Sequence, residues 1–206
     1  MVIGPILLAS GYLYLTTFNA DTQFWQASIG MILIGLGLGQ LMQTLTLAAQ
    51  NSVPASEVGV ATSSATFFRQ MGGTLGVAVF ISILFNQLTD TIPAAFKRTD
   101  VQAGLKDALQ DPAVTGDPNN AEFLMSIKSG DMASLADKLN TDSSFLNNLD
   151  PRLARPFLVG FAEAGVTVFA IAAVVVALAL VVAIFTKAPA LRDKSAVQEA
   201  AEAAAH

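Results

Sequence analysis

The chain has no cysteine, so neither a disulfide framework nor a thiolate metal site can form. Its single histidine is the terminal His206, which leaves no histidine-based metal or catalytic constellation to assemble. Charge is scarce as well: 13% of the 206 residues are Asp, Glu, Lys or Arg, against roughly 25% in an ordinary soluble domain. No basic stripe runs through the sequence, and a net charge of −5 offers no footprint for nucleic acid. The first 18 residues contain no Lys or Arg, so they lack the basic start of a secretory signal peptide and read as a mature helix. The loop carboxylates never fall into the spacing of a calcium loop. Neither enzymatic machinery nor a cofactor site is legible.

What the chain does have is apolar length, with 53% hydrophobic residues. Of its 27 charges, 17 lie in residues 89–156 and 6 follow Thr186, so the other 118 residues carry only Asp21, Glu57, Arg69 and Glu163. A helix rises about 1.5 Å per residue and the hydrocarbon core is about 30 Å thick, so roughly 20 apolar residues make one crossing. Four stretches qualify: residues 1–18, 24–49, 58–88 and 157–186. The first is the shortest, carries Pro5 near its start and reads as cut at its N-terminal end. The last includes 23 uncharged residues, 164–186, or about 34 Å of helix. The expectation is an all-α integral membrane bundle of four transmembrane helices, with a helical insertion at 89–156 and a tail at 187–206.

Short links at 19–23 and 50–57, the latter with Asn51-Ser52-Val53-Pro54 turn chemistry, make the first three helices antiparallel neighbours. The third link is 68 residues long and is broken at Asp111-Pro112, Gly116-Asp117-Pro118, Ser129-Gly130-Asp131 and Asp150-Pro151. Between the breaks, the pattern predicts short amphipathic helices. One covers 93–110, with Val101, Leu105 and Ala108 on one face, and another follows Asn119, with Glu122 placed as in a capping box. Asp131 and Asp142 are positioned to cap two more. Phe123, Leu124, Ile127, Leu135, Leu139, Phe145 and Leu146 are available for a small core, which favours a helical cap over a disordered linker. Loops longer than about 60 residues cross the membrane largely regardless of charge. Lys187, Arg192 and Lys194 after the last helix therefore place both termini in the cytoplasm and the long loop outside.

Within the second helix, at 100° per residue, Gly39, Gln43, Thr46 and Gln50 share an arc of about 60°, flanked by Gln40 and Thr44. Leu41, Met42, Leu45, Ala48 and Ala49 fall opposite. Polar groups at membrane depth are tolerated against protein or a water-filled cavity, so Gln40, Gln43, Thr44 and Thr46 are candidates for a substrate cavity. With Trp25 as the outer anchor, however, Gln43 lies about 27 Å deeper. A helix end emerging among headgroups is the competing reading. On the third helix, Thr62, Thr66, Arg69, Gly73 and Gly76 share a face suited to close helix contact. Arg69, Gly72, Gly73 and Gly76 are accordingly candidates for helix packing or gating. For Arg69, anchoring at the inner interface competes with a direct role, since residues 70–88 alone nearly span the hydrocarbon. Glu163 invites a proton-carrier reading, but the residues after it already cross the bilayer, which puts it at the outer surface. The run Gly35-Leu36-Gly37-Leu38-Gly39 lies inside an apolar helix and not after a strand, so it reads as packing rather than a phosphate cradle.

These residues carry a resemblance. Gly35-x-Gly37-x-Gly39, Ala48-Ala49-Gln50-Asn51-Ser52-Val53-Pro54, Gly59-x-Ala61, Phe68-Arg69-Gln70-Met71-Gly72-Gly73-Thr74-Leu75-Gly76-Val77-Ala78 and Phe185-Thr186-Lys187-Ala188-Pro189-Ala190-Leu191-Arg192 resemble the C-terminal region of the EmrB/QacA drug/proton antiporters. These are fourteen-helix members of the major facilitator superfamily. The resemblance covers most of residues 1–90 and 157–192, and the Phe-Arg-Gln-x-Gly-Gly segment is its most specific part. It implies that the four segments are helices eleven to fourteen of an inner-membrane exporter of hydrophobic or cationic drugs. It also implies that the second segment lines the cavity. The partners would be the lipid bilayer, the transporter's N-terminal helices and small hydrophobic drugs. The acidic residues of the family's first helix and its helix-five antiporter motif have no counterpart here, so no proton-coupling residue carries over. On this reading the chain is inactive alone, because alternating access requires two bundles. The rival reading is a self-standing four-helix membrane protein that assembles with itself or a partner through residues 72–76.

The topology is open to direct test. Single cysteines at positions 119 and 195, probed with an impermeant thiol reagent on intact cells, should label at 119 and not at 195; the opposite pattern would reverse the orientation.

Overall fold

The computed structural model describes residues 2–129 and 144–185. They form seven α-helices and two single-turn 3-10 segments, with no strand among the described residues: α1 Ile3–Leu15, α2 Phe24–Asn51, a turn at Ala55–Glu57, α3 Val58–Phe96, α4 Thr99–Gln110, α5 Pro112–Thr115, α6 Pro118–Ser129, a turn at Ser144–Asn148, and α7 Pro151–Phe185. Three helices are long and apolar enough to cross a membrane: α2, α3 with its preceding turn, and α7. The first segment forms a shorter apolar helix of 13 residues, about 20 Å long. In their most apolar windows, α2 and α3 are only 6% buried and α7 only 11%. Apolar helices whose sides stay unburied need lipid or further helices around them. The chain is thus an all-α membrane helical protein. Asp131, Asp142, Leu135, Leu139 and the tail from residue 186 onward, including Lys187, Arg192, Lys194 and His206, lie outside the described residues.

The chain divides into two compact units. Among the described residues, one holds those up to Thr17, Thr22–Ile81 and those from Val168 on; the other holds Phe18–Asp21 and those within Ser82–Thr167. In the first unit α1 packs along α2 through glycines spaced seven apart on each helix. A Cβ at Gly37 would stand 2.8 Å from the Gly4 carbonyl oxygen and from Leu8, and one at Gly30 would stand 2.5 Å from Leu15. Only glycine allows that approach, which brings backbone to backbone as in other small-residue helix contacts. The expectation for the Gly35-x-Gly37-x-Gly39 run therefore holds at Gly37 alone. Around the Cβ positions of Gly35 and Gly39 no described residue outside the helix's own backbone lies within 4 Å, because residues two apart on a helix point about 200° apart.

The second unit is the helical cap, and it holds a buried aromatic and aliphatic core. Phe157 is 1% exposed and Leu153 is fully buried. They pack with Ala108, Val114, Phe123, Leu124, Leu149 and Ala154. The Phe157 ring meets Phe96 and Phe123 edge to face at centroid distances of 5.6 and 5.7 Å, a geometry that the ring quadrupoles favour. Val101 and Ala108 are buried on α4, as their spacing predicts. In this unit three boundaries differ from expectation. The helix expected over 93–110 is two, because α3 continues to Phe96 and α4 restarts at Thr99. The helix expected after Asn119 starts at Pro118, and its cap is Asp117, whose carboxylate accepts the Asn119 amide at 2.9 Å. The last helix begins at Pro151, not Phe157, since proline suits a first helical position and Asp150 accepts the Arg152 amide at 2.9 Å.

One buried polar side chain and a partly exposed charge cluster pin this core. Asn120, 2% exposed, donates from Nδ2 to the Val114 carbonyl at 2.9 Å and accepts the Asp150 amide at 3.1 Å. The Arg152 guanidinium reaches Asp107 at 2.6 Å, Asp111 at 3.0 Å and Asp150 at 3.0 Å. Its hydrogen bonds are the main reason Asp111 and Asp150 are held below the usual carboxylate range. A carboxylate with a lower pKa folded than unfolded stabilises the fold above its unfolded value, about 3.9 for Asp, and that stabilisation is lost as pH falls through the folded value. Amide protection factors across α4 to α6, corrected for the intrinsic exchange rate, should therefore hold from neutral pH down to about pH 4 and fall below it. Arg152→Gln should flatten that acid dependence, and an unchanged acid profile in the variant would show that the clamp does not hold the cap.

Candidate functional site

The polar arc of α2 meets α3 at an open groove of about 360 Å³, lined by Met42, Gln43, Thr46, Leu47, Gln50 and Arg69. Helical geometry explains the set. Gln43, Thr46 and Gln50 lie within the arc, whereas Met42 and Leu47 fall about 60° to 80° to either side and form its walls. Gln40 and Thr44, at about 100° and 140°, are turned away and do not line the groove. Met42, assigned to the opposite face on the sequence, instead stands at the groove's edge, close enough in angle to share it. Leu47 was missed because an apolar residue in an apolar helix carries no signal.

Hydrogen bonds decide what each side chain offers. Gln50 Nε2 donates to Thr62 Oγ1 at 3.0 Å, and Thr62 in turn donates to the Val58 carbonyl at 2.8 Å. This relay ties the end of α2 to the start of α3 and aims the Gln50 amide. Thr46 Oγ1 donates back to the Met42 carbonyl at 2.9 Å, and Thr44 Oγ1 to Gln40 at 2.6 Å. A hydroxyl committed in this way presents only lone pairs outward. Arg69 is exposed and has no ion-pair partner among the described residues, and within Thr22–Ile81 the only other charge is Glu57.

The packing candidates stand differently. Among the described residues, nothing outside the helix's own backbone lies within 4 Å of a Cβ built at Gly72, Gly73 or Gly76, so no described segment covers this surface. Glu163 belongs to the second unit, where its carboxylate accepts from Arg98 Nη1 at 2.9 Å. It shares a cavity of about 130 Å³ with Asp21, Arg98 and Arg155. Arg155 Nη2 donates to Asp21 Oδ2 at 2.8 Å, which holds the Asp21 carboxyl below its usual range. Two cations and two carboxylates neutralise one another there. A pairing across 134 positions leaves no local trace in a sequence.

No family model matches the chain, and no solved structure matches it. Among curated proteins it is similar to a tetracycline resistance determinant of Streptomyces rimosus, 33% identical over 167 residues, which are 79% of this chain and 45% of that protein. It is also similar to a multidrug transporter protein of Bacillus subtilis, 42% identical over 96 residues, covering 45% of this chain and 18% of the relative. A tetracenomycin C resistance and export protein of Streptomyces glaucescens is 27% identical over 172 residues, covering 82% of this chain and 31% of the relative. The chain thus spans less than half the length of each. By name these relatives are concerned with drug resistance, drug transport or export, and other relatives, 34% to 37% identical over 94 or 95 residues, are named as transporters of the major facilitator type.

The Gln50 relay can be measured. A double-mutant cycle of Gln50→Leu and Thr62→Val in detergent unfolding should give a coupling of about 1 kcal/mol, and additive effects would mean that the two side chains do not support each other.

Proposed function

We propose that the chain is the C-terminal part of a proton-coupled multidrug efflux transporter of the major facilitator superfamily, of the EmrB/QacA type, seated in the inner cell membrane with both termini cytoplasmic. The observation that carries the reading is the likeness to the Streptomyces rimosus tetracycline resistance determinant, which extends over 79% of the chain and so reaches beyond any single helix. The groove is consistent with it. A surface that presents Gln43, Thr46, Gln50 and Arg69 from helices otherwise wrapped in apolar side chains is where a transported compound finds polar contacts at membrane depth. Gln40 and Thr44 lie on the same helix outside that groove and act in substrate contact only through another face.

On this reading the open Gly72, Gly73 and Gly76 surface of α3 receives the transporter's remaining helices, since small residues permit backbone approach. Alternating access needs two bundles moving about a central site, and this chain supplies part of one. Proton coupling comes from outside it, because Glu163 is engaged by Arg98 in the second unit. The hydrophobic compounds exported include cationic ones where a carboxylate elsewhere in the protein receives them.

In cells making the complete transporter, Gln43→Ala should alter the drug profile while membrane abundance stays unchanged, and Arg69→Ala should depress abundance or the transport of many drugs together. A Gln43→Ala profile identical to wild type across a chemically varied panel would sink the cavity assignment. Liposomes holding only this purified chain should show no export driven by a proton gradient; export from them would instead support a self-standing assembly.

A further inference from the structure

We infer that the Gln43, Thr46, Gln50 and Arg69 groove binds an oxyanion carried on an apolar body. The inference deepens the efflux reading, on which its choice of occupant rests, but its charge preference stands on the groove's own chemistry. Among the described residues, Arg69 is the only charged side chain lining the groove. The other charge of Thr22–Ile81, Glu57, is twelve residues earlier, about 18 Å along a helix, and makes no ion pair with it. A guanidinium offers five N–H donors in a planar fork that matches a carboxylate or phosphate two bonds at a time. Where water is scarce, an unpaired cation is costly, so an arriving oxyanion is drawn to it.

The neighbours complete the match. The Gln43 amide adds donors, and the Gln50 amide keeps one N–H beyond the bond it gives Thr62. Thr46 has already committed its proton to Met42 and can only accept, which suits a hydroxyl on the ligand beside its acidic oxygen. Met42 and Leu47 supply the apolar walls. A cation entering the same groove meets a like charge and no carboxylate. The headgroup phosphate of a lipid and the acidic oxygen of a transported amphiphile share the required chemistry.

The test uses the full chain in dodecyl maltoside micelles, which contain no oxyanion, with binding read by equilibrium dialysis. The probes are 2-naphthoate, its cationic counterpart 2-naphthylmethylammonium, and dioctanoyl phosphatidylglycerol. At least one anionic probe should bind saturably, and the ammonium should not. Arg69→Gln should weaken that binding by about tenfold or more, and Arg69→Lys, which keeps the charge without the fork, should fall between. Circular dichroism checks that each variant keeps its helices, and Arg69→Lys carries the comparison if the glutamine variant does not. Binding of naphthoate alone points to a transported acid, binding of the lipid alone points to a headgroup, and either supports the site. Equal binding of the ammonium, no anion binding, or an Arg69→Gln variant indistinguishable from wild type overturns it. Should the complete transporter export nothing while the purified chain keeps its Arg69-dependent preference, the efflux reading fails and the oxyanion site remains; the reverse result removes the site and leaves efflux standing.

Discussion

Backbone polar groups that leave water must find partners within the chain, and the long helices are the consequence of that demand. An α-helix satisfies its own N–H and C=O groups whatever surrounds it, so α2, α3 and α7 can expose leucine, valine and phenylalanine along their sides without a protein core beneath them. The same demand disposes of the hydroxyls. Ser28, Thr44, Thr46, Thr62 and Thr74 all donate to a carbonyl one turn back. The groove then gathers polar capacity that no such bond absorbs, from Gln43, Gln50 and Arg69. Function in such a chain is located by what the helices cannot satisfy internally.

The cap obeys the opposite logic. Its helices are short and its turns rich in Asp, Asn and Pro, so its stability comes from a core of aromatic and aliphatic residues around Phe157 and from polar pins such as Asn120 and Arg152. A segment of this composition has enough apolar side chains to offset the entropy of ordering it, which is why it folds rather than trailing as a linker. Its ion pairs are largely solvent-facing and set geometry more than energy. The Arg98 to Glu163 pair is an instance: it occupies the one carboxylate of α7 that a reader of the sequence would consider for carrying protons.

Two scales of information are separable here. Apolar length, the absence of cysteine and usable histidine, and the clustering of charge in 89–156 settle the class of molecule from the sequence, because crossing a membrane is a matter of composition over roughly 20 residues. The arc of Gln43, Thr46 and Gln50 was equally legible, since helical phase is arithmetic. Boundaries were less so. Whether Asp117 or Asn119 caps α6 depends on which side chain turns back, and whether Pro151 or Phe157 opens α7 depends on the core that Leu153 and Ala154 fill.

The tertiary structure alone decided which side chains share a space. That Arg69 on one helix joins Gln43 and Gln50 on another, that Gly37 and not Gly35 or Gly39 bears the helix contact, and that Arg155 finds Asp21 are all results of packing between segments far apart in the chain. Periodicity specifies a direction around one helix axis and says nothing of what stands in that direction. The sequence determined the helices, their medium and the faces they offer; the meeting of those faces, and hence the groove and its charge, came from packing.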